Sequence, residues 1–391
     1  MARNTCRIGF PLSSTLFLIV LSFLVSACVT ANQQPKAITW NRDSNEAIVH
    51  FQKPVIQPND INYSLTELQR GLLFFNEGDY LHSDLRFANA LRVMDKIGGE
   101  AGREAGAVVV DERTKTFKGE PYERATAYLF RGLCHFNRGD YAGALAAFRS
   151  SLAADAETRN KEQKYLEDFT ISHFLVALTY ERLSEHDNAI AALQMAKTSA
   201  PGNPLLASAN LNDNFVAVLG VGLGPFKRGA RTYTCLQPSG ENVEVTIDSE
   251  STQRAAEATD LLVQAQSQQW GEADTARVAR MIGKAVLSGI LSGLTGANIN
   301  IQDYEDARCW IGLPLKFFIY TATVPAGNHN ITIKSYDRDG KEIERNRQIW
   351  FDVPVASANC PILYLPVQQD RQNYYGKMQV NINSTMEKAA K

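Results

Sequence analysis

The chain has 391 residues, of which 45% are hydrophobic and 21% charged, with a formal net charge of −2. That length suits two to three domains of roughly 100–200 residues, and the composition excludes an intrinsically disordered chain, a collagen-like repeat and a basic nucleic-acid binder. Six cysteines are too few for a disulfide scaffold, and no Cys-x-x-Cys pair of the zinc-ribbon kind is present.

The N-terminus is a secretory signal. Arg3 and Arg7 precede an apolar stretch from Leu12 to Ala27 that is short for a transmembrane helix and ends in small residues. Val25-Ser26-Ala27-Cys28 reads as a lipobox, in which Cys28 receives diacylglycerol and then, as the new N-terminus, an N-acyl chain. Together these chains satisfy the two-signal requirement for stable anchoring. Residue 29 is Val rather than Asp, which favours sorting to the outer membrane. Removing residues 1–27 takes away two arginines and no acids, so the net charge moves from −2 to −4. Residues 28–62, with Pro35, Pro54 and Pro58 and no sustained periodicity, read as a lipidated tether, with a short strand or helix around Asn45–Phe51.

Residues 63–204 carry an internal repeat. Gly71, Phe74, Gly78-Asp79-Tyr80, Ser83, Phe87 and Ala90 fall at tetratricopeptide-like offsets. The pattern recurs as Gly132, His135, Gly139-Asp140-Tyr141, Ala144, Phe148 and Ser151, then as Ala177, Tyr180, Ser184-Glu185-His186, Ala189, Leu193 and Ala196, with Pro201 as the stop. Small residues let paired helices cross closely, aromatics fill the groove, and Gly-Asp makes the turn. The second and third copies follow at spacings of 61 and 45 residues, so insertions separate them. In such repeats the first helix of each pair lines an inner groove, here with Phe75, Asn76, Phe136, Asn137, Phe174 and Arg182. The equivalent Asn76 and Asn137 suit a peptide backbone or a carboxylate laid along that groove, with Arg182 adding charge. The alternative is that the chain's own insertion or C-terminal domain covers this face.

Residues 205–391 read as a mixed α+β domain. Phe215–Gly220 is a short apolar β-like run that leads into Gly222-Leu223-Gly224-Pro225-Phe226-Lys227. That is a strand with a glycine turn rather than a phosphate loop, because no helix follows. Residues 251–294 have helical composition, running Gln253–Gln269 and Ala273–Leu294, the second with a small-residue face at Gly289 and Gly293 that suits packing on a sheet. Stretches Lys316–Thr323, Asn330–Tyr336, Gln348–Val353 and Ile362–Val367, with turns at Val324–His329 and Asp337–Gly340, predict an antiparallel β-sandwich. Asp337 and Asp339 lack the downstream Glu of a calcium loop and read as a turn. In an oxidising compartment one disulfide is expected among Cys235, Cys309 and Cys360, and Cys134 reads as a buried thiol.

Several stretches, among them Phe117–Arg124, Tyr180–Leu183, Gly222–Lys227, Asp306–Pro314 and Val324–Gly327, resemble a family of proteobacterial outer-membrane lipoproteins with tetratricopeptide-like repeats. The resemblance spans most of the chain and implies the same architecture and an envelope role, with no catalytic residues to carry over. Asp306, Arg308, Trp310 and Pro314 read either as a contact site or as an Arg–Asp pair and a Trp that lock the helical segment onto the sheet.

The six histidines are scattered, without metal spacing, and no nucleophile elbow occurs. The expectation is a non-enzymatic adaptor anchored through Cys28 in outer-membrane lipid and facing the periplasm. It would have no cofactor beyond its acyl chains, would bind envelope proteins through its repeats, and would not bind nucleic acid. The alternative is a cell-wall or polysaccharide enzyme, or a carbohydrate-binding accessory, with Trp310 and Trp350 available as a sugar platform.

Overall fold

The computed structural model describes residues 57, 59–100, 116–156, 169–200, 203, 206, 208–227, 233–235, 240–267, 308–310, 312–358 and 361–367. The signal segment, Cys28, the 45–51 element, the 273–294 helix, Asp306 and Cys360 lie outside them. All the described residues belong to one compact unit.

Six helices form three consecutive hairpins: α1 (Tyr63–Asn76) with α2 (Tyr80–Glu100), α3 (Pro121–Asn137) with α4 (Tyr141–Ala156), and α5 (Thr170–Arg182) with α6 (His186–Ser199). The spacing read in the sequence has a direct steric meaning. A Cβ built on Gly71 would lie 2.7 Å from the Phe87 ring, and one on Gly132 would lie 2.3 Å from Phe148, sixteen residues on in both cases. The third hairpin has Ala177 and Leu193 at the same offset, a larger small residue combined with a smaller large one.

The turns repeat as well. Gly78, Gly139 and Ser184 hold φ of 73°, 79° and 61°. After each, the next residue's N–H reaches back to the carbonyl of Phe74, His135 or Tyr180, closing the helix C-terminus in the Schellman manner. Asp79 and Asp140 then cap the second helices, accepting from the N–H of His82 at 3.2 Å and of Gly143 at 2.9 Å. One dipeptide, Gly-Asp, thus ends one helix and starts the next.

The β-rich part holds two four-stranded sheets among the described residues. The first has the order β10 (Ile362–Val367), β1 (Phe215–Val221), β7 (Lys316–Ala322), β6 (Ala256–Asp260). The second has β5 (Ser251–Arg254), β4 (Asn242–Ile247), β8 (Gly327–Tyr336), β9 (Gln348–Val355). A two-stranded pair, β2 (Phe226–Lys227) with β3 (Tyr233–Thr234), and a short helix, α7 (Leu261–Ser267), complete the architecture. The expected sandwich forms, with one departure from a wholly antiparallel plan: β10 runs parallel to β1, with Val216 opposite Ile362 and Val221 opposite Val367.

Alternation along three strands explains the layering. Val216, Val218, Phe317, Ile319, Ile362 and Tyr364 join the core shared with the helices, while Phe215, Leu219, Phe318, Leu363, Leu365 and Val367 join the core against the second sheet. The first sheet is therefore the middle of three layers, and its central strand β1 is buried along its whole length. That is why its sequence is a continuous apolar run.

The expected helix from Gln253 does not form as read. Residues 251–254 and 256–260 are β5 and β6, and helix begins only at Leu261. Gln, Arg, Ala and Glu favour helix locally, but pairing of β5 with β4 and of β6 with β7 overrides that preference.

Candidate functional site

The inner face of the repeats is occupied by the chain itself. Phe75, Asn76, Phe136, Asn137 and Phe174 are all buried, and Arg182 is partly exposed. Asn137 donates through Nδ2 to the carbonyl of Ile362 at 3.0 Å and accepts the Ile362 N–H on Oδ1 at 2.9 Å. The backbone bound there belongs to β10. Tyr364 of the same strand meets Phe75 and Phe130 edge-on, with ring centroids 5.4 Å apart in each case. The residues read as a groove for a partner are thus joined to the C-terminal sheet. Asn76, at the equivalent position, is equally buried, and its Oδ1 has no hydrogen-bond partner among the described residues.

A second seam lies at the start of α3. Glu120 and Glu123 form a capping box around Pro121, with the Glu120 N–H on Glu123 Oε2 at 2.6 Å. The other Glu123 oxygen accepts from the Trp310 N–H at 2.5 Å. Glu120 pairs with Lys227 at 2.7 Å. Burial pushes the Glu123 carboxyl up to about 7, against the opposing pull of its two backbone donors. Glu-Pro-x-Glu is the sequence signal for this cap, and nothing in the sequence pairs it with residue 310.

Trp310 packs against Phe87 and Phe130, while Arg308 reaches the Ile61 carbonyl at 3.1 Å and Asn62 Oδ1 at 2.9 Å and lies over the Phe117 ring. This segment is a lock, and it fastens onto the helices. Trp310 and Trp350 are both fully buried, so neither offers a face to a sugar.

Cys134, Cys235 and Cys309 form no disulfide with one another, and the expected disulfide among Cys235, Cys309 and Cys360 is not found among the described residues, outside which Cys360 lies. Cys134 is buried and donates to Ser83 Oγ at 3.4 Å. Asp337 accepts the N–H groups of Asp339 and Lys341 and makes a plain turn. Among the described residues no group of three or more His, Cys, Asp or Glu side chains is placed to hold a metal ion.

The solvent side of the helices is different in character. Its ionic centre is Asp84, which accepts from Arg131 Nε at 2.8 Å and lies 3.3 Å from His135 Nε2, while His135 Nδ1 meets Asp140 at 2.8 Å. Those partners hold the Asp84 carboxyl at about 2 and raise His135. Large apolar side chains stand exposed on the second helices: Leu81 and Leu85 on α2, and Ile190 and Met195 on α6.

No curated protein sequence is significantly similar to the chain. The tetratricopeptide repeat family matches residues 112–157, which contain the second hairpin, and the other two hairpins repeat its turn geometry and, by sequence offset, its helix-crossing pattern.

Proposed function

We propose that this protein is a non-enzymatic, lipid-anchored adaptor of the bacterial envelope, held by Cys28 in the outer membrane and facing the periplasm. Tetratricopeptide-like repeats are protein-interaction scaffolds, and that architecture is the observation that carries the reading. With the inner face filled by the first sheet, the repeats meet partners through their outer helices, where Leu81, Leu85, Ile190 and Met195 are exposed. The lipobox at Val25–Cys28 supports the anchor.

Two arms test it. In cells the full-length chain is expected in the membrane fraction and Cys28→Ser in the soluble fraction; retention of the variant, or solubility of both, overturns the anchor. A photo-crosslinking residue at Leu85 or Ile190 is expected to give a discrete adduct with one envelope protein. Absence of any adduct from both positions overturns the adaptor.

A further inference from the structure

The last helix of the repeats presents a face that no described element covers. Hairpins stack by laying the second helix of one against the first helix of the next, as α2 does on α3 and α4 on α5. That stacking stops at α6, which packs on α5 and buries only Ala189 and Ala196. Asp187, Ile190, Ala191 and Gln194 are exposed at the i, i+3, i+4 and i+7 spacing of one helix face, and the partly exposed Lys197 continues the stripe at i+10. Ile190, at 67%, is the most exposed large apolar side chain among the described residues. A repeat that ends a stack in water carries a polar outer face, whereas this one sets isoleucine and alanine between an acid and a base.

The charges of the helix name the occupant. Asp187 lies in the first turn of α6 and Lys197 in the last, and neither pairs with another described residue. The neighbouring groups are already engaged: His186 stands 3.0 Å from Glu181, and Glu185 accepts from Asn188 at 2.7 Å. Ten residues separate Asp187 from Lys197, about 15 Å along the axis. A helix with its acid at one end and its base at the other is complementary to itself run antiparallel. A two-fold axis level with Ala192 lays Asp187 of each copy over Lys197 of the other and Ile190 over Gln194, and opposes the two helix dipoles favourably. Parallel pairing would lay like charge on like.

We propose that α6 is a self-association face, on which two copies of this chain pair antiparallel as an isologous dimer. The proposal rests on the adaptor reading and deepens it. Of the two helices with exposed apolar residues, α6 takes a second copy, and α2, with Leu81 and Leu85, is left for the envelope partner. One helix face from each copy makes a small interface, and anchoring both copies in one membrane supplies the local concentration it needs.

The test is made in cells on the full-length anchored chain, with a photo-crosslinking residue at Gln194. An adduct of twice the chain's mass, containing this chain alone, is expected. Asp187→Lys and Lys197→Asp are each expected to lower its yield about tenfold, because each lays like charges together twice. Coexpressed, the two variants complement each other and are expected to restore the yield. Each substitution also opposes the dipole of its own helix, and mixing leaves that effect unchanged, so the rescue reports pairing between copies. Ile190→Glu is expected to abolish the adduct. No adduct of this mass, a yield untouched by the charge variants, or a loss that mixing does not restore overturns the proposal. A crosslink from Leu85 to an envelope protein with none between copies overturns this face and leaves the adaptor standing; a dimer adduct with no other protein captured from Leu85 or Ile190 does the reverse.

Discussion

Asn137 holds the peptide of Ile362 by both of its polar groups, at 3.0 and 2.9 Å, and so acts on β10 as one residue of a neighbouring strand would. Among the described strands, β10 is the edge of the middle sheet. Because Ile362 points its backbone at Asn137, alternation points that of Pro366 outward too, where proline has no N–H to leave unpaired. Side-chain amide and proline together blunt an edge that would otherwise invite another chain.

Asn137→Ala should therefore cost more than one ordinary hydrogen bond, since it leaves a buried N–H and a buried carbonyl unpaired. At about 1–3 kcal/mol for each orphaned group, with some relaxation, a loss of about 2–3 kcal/mol is expected. The denaturation midpoint should fall with an unchanged slope. A shift below about 0.5 kcal/mol, the range of ordinary surface changes, would show that the pair contributes nothing.

The Gly132–Phe148 contact makes a second prediction. With a built Cβ 2.3 Å from the ring, Gly132→Ala should destabilise by about 1–3 kcal/mol through overpacking, although alanine is the better helix former. Adding Phe148→Leu reproduces the Ala–Leu combination that the third hairpin carries at residues 177 and 193. A double-mutant cycle should then show favourable coupling of about 1 kcal/mol or more; additive effects would mean that the two positions do not share the space.

These contacts also mark how far the sequence can be read. Small residues, aromatics and Gly-Asp turns repeat at fixed local offsets, so the hairpins were legible, as was the apolar run of β1. The chemistry of Asn137 was legible in part, as a residue suited to a peptide backbone or a carboxylate. Its occupant was not, because Ile362 lies far along the chain and nothing local pairs the two. For the same reason Gln253–Asp260 reads as helix: its residues favour helix, and only β4 and β7, distant in sequence, make it strand.

Ser184 occupies the turn position that Gly78 and Gly139 occupy in the first two hairpins, with φ of 61°. A left-handed conformation costs a residue with a Cβ roughly 1–2 kcal/mol, against roughly 0.5–1 kcal/mol of extra unfolded-state entropy for glycine. Ser184→Gly should raise stability by about 0.5–1 kcal/mol, read as a higher midpoint on thermal or chemical denaturation. Gly139→Ser should lower it. A loss of stability in Ser184→Gly would show that the serine side chain contributes more than its backbone strain costs.

The pH dependence of stability separates the two ionic seams. Hydrogen bonding to Asp84, and then the charges of Asp84 and Asp140, raise His135 above its ordinary 6.5. The stability this contributes is complete below that value and is lost as pH rises through the folded-state value. Asp84 titrates at about 2 instead of 3.8, so its contribution is lost as pH falls through that interval. Glu123 runs the other way: burial moves it from 4.5 to about 7, so the folded state gives up stability as pH rises between those values. Glu123→Gln should flatten the stability profile between about pH 4.5 and 7 while lowering it overall, because one amide oxygen replaces two acceptors for the N–H groups of Glu120 and Trp310. His135→Gln should remove the decline above pH 6.5 and leave the Glu123 interval unchanged. Chemical denaturation of both variants from pH 4 to 9 distinguishes the seams. A slope between pH 4.5 and 7 that survives Glu123→Gln would assign that titration to another group.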